Sequence, residues 1–227
     1  MHKGLGILFF ETQNRGGTLH RDHYSYRTIA RASEGEYKEK GSRFLAFAYP
    51  VSSEAEIKDC ITVLRKRYFD ARHHCFAWML GADHKDFRAS DDGEPNHSAG
   101  DPILGQIRSK RLTNVLVVVV RYFGGVKLGV GGLITAYRSA AEEALNKAEV
   151  VEREVMESMR IIYDYAATPE VMTLAKEFDL RILSQMFETE CELKVSYNLS
   201  DKERLLEKLA LLIATGKKIR YTTEAVH

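Results

Sequence analysis

Apolar positions along this chain repeat with two different periods, and the change from one to the other predicts its elements. YRTIARASEGEYK and SRFLAFAYPV read as two extended runs that meet near Lys40-Gly41, a hairpin signal. SSEAEIKDCITVLRKRY then turns helical, with an N-cap at Ser52, an early glutamate, and Ile57, Ile61 and Leu64 at helical spacing. HHCFAWML, residues 73–80, reads as a strand. Residues 81–102, GADHKDFRASDDGEPNHSAGDP, are polar and turn-rich, so a long loop or a ragged hairpin. ILGQIRSKRL reads as a helix. NVLVVVVRYF is apolar on both faces, which predicts a central strand in a sheet covered on both sides. Leu133, Ile134, Tyr137, Ala140, Ala141, Ala144 and Leu145 then mark the stripe of an amphipathic helix.

The rest of the chain reads separately. A strand over 153–162 leads to a helix at Thr168-Pro169, where proline suits a first turn. RILSQMFET and CELKVSYNL are strands, Ser200 caps a helix that ends at Gly216, and KKIRYTTEAV closes as a strand. The order is βαββαβ, the ferredoxin-like split unit. The predicted fold is α/β (α+β) in two domains. Residues 1–20 form a loosely ordered leader, 21–150 a mixed α/β domain and 151–227 the ferredoxin-like domain, with the boundary near Val150 to Glu152.

Composition narrows the function classes. Hydrophobic residues make up 44% and charged residues 29% of the 227, an ordinary globular balance. The formal net charge is +1, which counts against coating nucleic acid through bulk charge. Residues 151–227 hold 11 basic and 14 acidic side chains, net −3, so any polyanion favours the first part. Three cysteines without a CxxC pair point to a reducing, cytoplasmic setting with no disulfide framework. The early run GLGILFF is short for a signal-peptide core and no later run spans a bilayer, so no membrane partner is expected.

The densest signal follows the four valines at 117–120: five glycines fall between Gly124 and Gly132. A strand, a glycine-rich turn and a helix start bring free backbone N–H groups to an anion. Arg121, Lys127 and Arg138 add charge nearby, and Tyr122 or Phe123 offers a ring for stacking on a base. Neither standard phosphate fingerprint fits: GGVKLGVGG lacks a P-loop ending, and GVGGLI has Ile134 where the last glycine of G-x-G-x-x-G belongs. Close helix-on-sheet packing needs glycine too, so both explanations stand at this point. The SDDGEP turn sets Asp91, Asp92 and Glu94 close together, a pattern that serves Mg²⁺ chemistry or a solvated turn. RHHC places His73 and Cys75 on one strand face and His74 on the other, too few ligands for a zinc site. The short basic clusters RKRY and RSKR read as solvated helix ends.

RYFGGVKLGVGGLITAYRSAA strongly resembles the hallmark segment of the YigZ/IMPACT family. KGSRFLAFAYPVSS, DARHHCFAWMLG, SDDGEP and AGDPIL resemble the same family in the same order, and the likeness runs over residues 24–225. One departure stands at His97 and Ser98, where the family usually carries a Gly-Ser or Gly-Thr pair. The resemblance implies an N-terminal α/β domain similar to a ribosomal-protein and elongation-factor type. It implies a C-terminal ferredoxin-like companion similar to a domain of elongation factor G. It also implies a part in translational control, which eukaryotic members exert through protein contacts.

The expectation is a cytoplasmic binding or regulatory protein, without cofactor or catalytic residue, that contacts RNA, the ribosome or a translation-associated protein. Its ligand or anion site comprises Arg121, Tyr122, Gly124, Gly125, Lys127, Gly129, Gly131, Gly132 and Arg138. His73, Asp91, Asp92 and Glu94 shape the cleft, the carboxylates pairing with Arg121 rather than holding a metal. Two alternatives stand beside it: a metal-assisted enzyme acting on a phosphorylated or nucleotide-like ligand, and a pure interaction scaffold.

Overall fold

The computed structural model describes residues 24–224; the leader read at residues 1–20 lies outside them. The first long extended run of the sequence divides in two. Strand β1 (Ser25–Ile29) and strand β2 (Ser33–Glu39) enter different sheets, because β1 finds its partner far along the chain. β2 turns at Lys40 and Gly41, with φ of 45° and 77°, into β3 (Ser42–Pro50), so the hairpin forms where the sequence places it.

Helix α1 (Glu54–Arg67) begins one residue later than the sequence suggests. Ser53, not Ser52, is its N-cap and accepts the N–H of Glu56, while the Glu56 carboxylate accepts the Ser52 N–H at 2.7 Å. β4 (His73–Leu80) and β5 (Asp86–Ser90) form the ragged hairpin, α2 spans Gly100–Ser109, β6 spans Val115–Tyr122 and α3 spans Gly129–Lys147. The sheet order is β2-β3-β6-β4-β5, antiparallel throughout, which makes β6 the middle strand.

Both faces of that sheet are covered. Val115, Val117 and Val119 pack with α2 and α3 around Ile103, Ile107, Ala136, Tyr137 and Ala140. Leu116, Val118 and Val120 pack with Ile57 and Leu64 of α1 and with Trp78 of the neighbouring β4. Double-sided burial is the physical reason that β6 shows no polar alternation.

After α3 the chain forms β7 (Val150–Glu154), which pairs antiparallel with β1 in a separate ribbon. The boundary read near Val150 to Glu152 lies within this strand, which pairs with β1. β8 (Met156–Tyr163), α4 (Thr168–Glu177), β9 (Arg181–Phe187), β10 (Cys191–Asn198), α5 (Lys202–Ala214) and β11 (Ile219–Glu224) then keep the βαββαβ order. Their sheet runs β11-β8-β10-β9 with α4 and α5 packed on one face, so the fold is two-domain α+β. Its other face carries charge pairs, Arg160 with Glu192 and Lys194 with Glu224. Ser200 lies in a short 3-10 turn and does not cap α5. Asp201 holds the N-cap position, and its carboxylate accepts from Arg204 at 3.0 Å rather than from a helix N–H. Among the described residues, no helix is long and apolar enough to cross a membrane.

Candidate functional site

The acidic turn folds over the end of the five-stranded sheet where β4 begins and β6 ends, with His73 in register with Arg121. Each of its carboxylates has a different partner. Asp91 accepts the N–H groups of His97, Ala99 and Gly100 at 2.8, 2.9 and 2.8 Å. It therefore caps α2, whose N-cap residue Ala99 has no side-chain acceptor. Asp92 accepts the His74 N–H and an Arg65 guanidinium N–H, each at 2.7 Å, and ties the turn to β4 and α1. Its carbonyl receives the His73 Nδ1–H at 2.9 Å. Glu94 is buried and accepts from Arg121 Nη1 at 2.6 Å and from the Tyr137 hydroxyl at 2.7 Å.

Burial raises the Asp91 carboxyl, but the N–H groups of Gly100, Ala99 and His97 outweigh it and hold the group below the usual carboxylate range. A depressed folded-state value means the stabilisation is present above the unfolded value and is lost as pH falls through the folded one. Asp91→Asn should thus lower stability at neutral pH and flatten the acid limb below roughly pH 4. Urea titrations of both proteins from neutral to strongly acid pH check this, and parallel acid limbs would refute it.

Burial pushes the Tyr137 phenol and the Cys75 thiol well up, so both remain protonated donors. Cys75 Sγ donates to the Asp91 carbonyl at 3.0 Å, which makes it a structural thiol and not the thiolate of a nucleophilic pair. Burial, with the Arg65 charge nearby, pushes His74 below the usual histidine range. Among the described residues, no group of three or more His, Cys, Asp or Glu side chains is placed to hold a metal ion.

The glycines divide by role. A Cβ on Gly124 would lie 1.9 Å from the carbonyl carbon of Gly41, so the turn rests directly on the β2–β3 hairpin tip. Its N–H donates to Ser42 Oγ at 3.1 Å. Gly125 and Gly129 take φ of 87° and 70°. Gly131 has ordinary φ and nothing within 4 Å of its missing Cβ. Gly132 meets only the Leu128 side chain. Packing therefore explains Gly124, conformation explains Gly125 and Gly129, and neither explains Gly131. Leu128 is the N-cap residue of α3, which has no side-chain cap and no acidic residue in its first turn.

Among the charged and aromatic candidates, Arg121 turns inward to Glu94 and is only 8% exposed. Tyr122 is half-buried and donates to Asp70. Phe123 is the outward ring, 59% exposed, with the Arg121 guanidinium 5.7 Å from its centroid. Lys127 is exposed on the turn. Arg138 lies farther along α3 and lines a separate shallow depression with His97 and Asp101. Tyr137 and Arg65 complete the acidic turn's bonding but carry no sequence signal of it: one sits in an apolar helical stripe, the other in a basic helix end. His97 takes φ of 63°, which fits the small pair that the resemblance implies there, since glycine adopts that region without strain.

Residues 40–145 match the Impact N-terminal domain. The chain is 31% identical over 173 residues to the IMPACT family member YigZ of Escherichia coli, covering 75% of this chain and 85% of that protein. The chain belongs to the IMPACT family. The Bacillus subtilis family member YvyE is 42% identical over 142 residues, 63% of this chain and 65% of its own length. A crystal structure of an hypothetical protein superposes with a TM-score of 0.70 at 27% identity, covering 90% of this IMPACT family chain and 98% of that one. Within this family member the hallmark segment spans the Arg121 anchor, the glycine turn and the start of α3.

Proposed function

We propose that this IMPACT family member acts by binding within the translation apparatus and contacts single-stranded RNA through the turn that follows β6. One observation carries the reading: the exposed Phe123 ring precedes a glycine-rich turn with open space at Gly125, Gly129 and Gly131, and the same turn carries the exposed Lys127. A ring of this kind stacks on a base irrespective of sequence, and a neighbouring cation meets the phosphate. Gly131 supports it, because the fold itself asks for no glycine there. The carboxylates have the opposite role. They hold the turn in shape from beneath, through Glu94 and Arg121. We also keep residues 21–150 as the unit that makes the contact, with the ferredoxin-like part, similar to a domain of elongation factor G, as its companion.

Affinity for a short single-stranded RNA should fall steeply with salt. Phe123→Ala should weaken it by about 1–3 kcal/mol, the usual worth of one stacked base. Gly131→Ala should stabilise the fold by about 0.5–1 kcal/mol, the helix-interior difference between the two residues, while weakening RNA binding. Fluorescence anisotropy and urea denaturation read the two effects separately. Salt-insensitive binding, or full affinity in Phe123→Ala, would sink the reading. A pull-down from cytosol that survives nuclease treatment would point to a protein partner instead.

A further inference from the structure

At the other end of the five-stranded sheet, arginines from three segments open into one cleft. Arg27 comes from β1, Arg108 from the last turn of α2, and Arg111 from the turn after it. Tyr26, Met79, His84 and Glu152 help to line it, around a volume of about 650 Å³. Met79 pairs with Val115 while His73 pairs with Arg121, so the cleft and the Glu94–Arg121 pair stand six residues of β6 apart. At the rise of an antiparallel strand that is roughly 20 Å.

Two features of this cleft have no explanation in the fold alone. Among the described residues, none of the three arginines has a carboxylate within ion-pair distance. Glu152, the carboxylate among the described lining residues, accepts from the Ser25 hydroxyl. Arg108 rests over the Phe87 ring, 4.3 Å from its centroid, and the α2 C-terminus favours a cation there. That accounts for Arg108 but not for Arg27 on another element. The second feature is backbone conformation. Arg111 holds φ of 52°, beside His84 at 57° and Asn114 at 51°. Histidine and asparagine are common in this left-handed region, and arginine is not. Glycine would fit position 111 with less strain, so the turn itself does not call for arginine there.

We propose that this cleft binds a phosphate-bearing ligand of nucleotide size. Guanidinium forks match phosphate oxygens bidentately, and three of them supply more positive charge than Glu152 offsets. The volume lies in the usual range of small-molecule sites. Tyr26 offers a half-buried ring for a planar group, and Glu152 is an acceptor for a hydroxyl or amino group. The site is separate from the glycine turn, so the two readings stand or fall independently.

Isothermal titration of the full chain at low salt, with inorganic pyrophosphate, with ADP and with a short single-stranded oligoribonucleotide, tests it. Pyrophosphate and ADP should bind saturably. Arg108→Gln should weaken both about tenfold, the scale of one lost charge-assisted hydrogen bond. Arg111→Gly should weaken them similarly while raising the thermal midpoint, because the left-handed strain is relieved. Phe123→Ala should leave the pyrophosphate affinity unchanged, because pyrophosphate has no base to stack. Absence of saturable binding at millimolar pyrophosphate and ADP would overturn the proposal, as would affinities that survive both arginine substitutions. Binding of the oligoribonucleotide alone, lost in Arg111→Gly, would also overturn it and assign the cleft to a nucleic-acid backbone.

Discussion

Replacing Glu94 with alanine is expected to lower folding stability by about 3–5 kcal/mol, the range seen when one partner of a buried ion pair is removed. The pair qualifies because its side chains are only 4% exposed at Glu94 and 8% at Arg121. Without the carboxylate, the Arg121 guanidinium stays beneath the turn with its charge uncompensated, and its buried Nε already lacks a hydrogen-bond partner among the described residues. The Tyr137 hydroxyl loses its acceptor at the same time. Glu94→Gln keeps an acceptor for Tyr137 and should lose less. Replacing both members with apolar residues, Glu94→Leu with Arg121→Met, should recover much of the deficit, since no unpaired charge then remains. Urea denaturation of the four proteins gives the comparison. A deficit below about 1 kcal/mol for Glu94→Ala, typical of exposed pairs, would show that water reaches the site.

Gly124→Ala is expected to have the largest effect of any substitution in the glycine turn. Its Cβ would lie 1.9 Å from the Gly41 carbonyl carbon and 2.2 Å from the Ser42 nitrogen, and both are backbone atoms with no rotamer to change. Either the hairpin tip or the turn must move. Overpacking of this kind costs about 1–3 kcal/mol and sometimes more. The displacement should also carry Phe123 with it, so RNA affinity and stability fall together. Gly131→Ala, with open space around it, separates the two quantities instead. Urea midpoints, with amide chemical shifts at Lys40 and Ser42, would show the hairpin tip moving. An unperturbed tip and unchanged stability in Gly124→Ala would contradict the packing described.

Much of the fold was legible in local pattern. The β6 run is apolar at every position from Val115 to Val120 because sheet neighbours and helices bury both its faces, and that was readable without coordinates. The hairpin at Lys40-Gly41 follows from positive φ at two adjacent residues, and the βαββαβ order from alternating runs and caps. The family motifs were legible for a similar reason, since each is a short contiguous segment. The candidate site was legible as a set of residues but not as a set of partners. SDDGEP and RYFGG stood out, yet nothing local shows that Asp91 caps α2, that Asp92 reaches Arg65, or that Glu94 takes Arg121 away from the surface.

By itself, then, the sequence determined the elements whose signal is periodic, since a periodic pattern records which face of a segment is buried. Tertiary structure decided everything that depends on residues meeting across long separations. β1 left the run it shares with β2 because β7 completes it, more than a hundred residues later. The N-cap moved from Ser52 to Ser53 because the Glu56 carboxylate claims the Ser52 N–H. Arg27, Arg108 and Arg111 became one cleft only when β1 crossed beside the end of α2, as the bridge between Arg27 and Leu112 records. Hydrogen bonds and ion pairs are set by distance in space. A chain that pairs residues 25–29 with residues 150–154 leaves no local trace of which donor meets which acceptor.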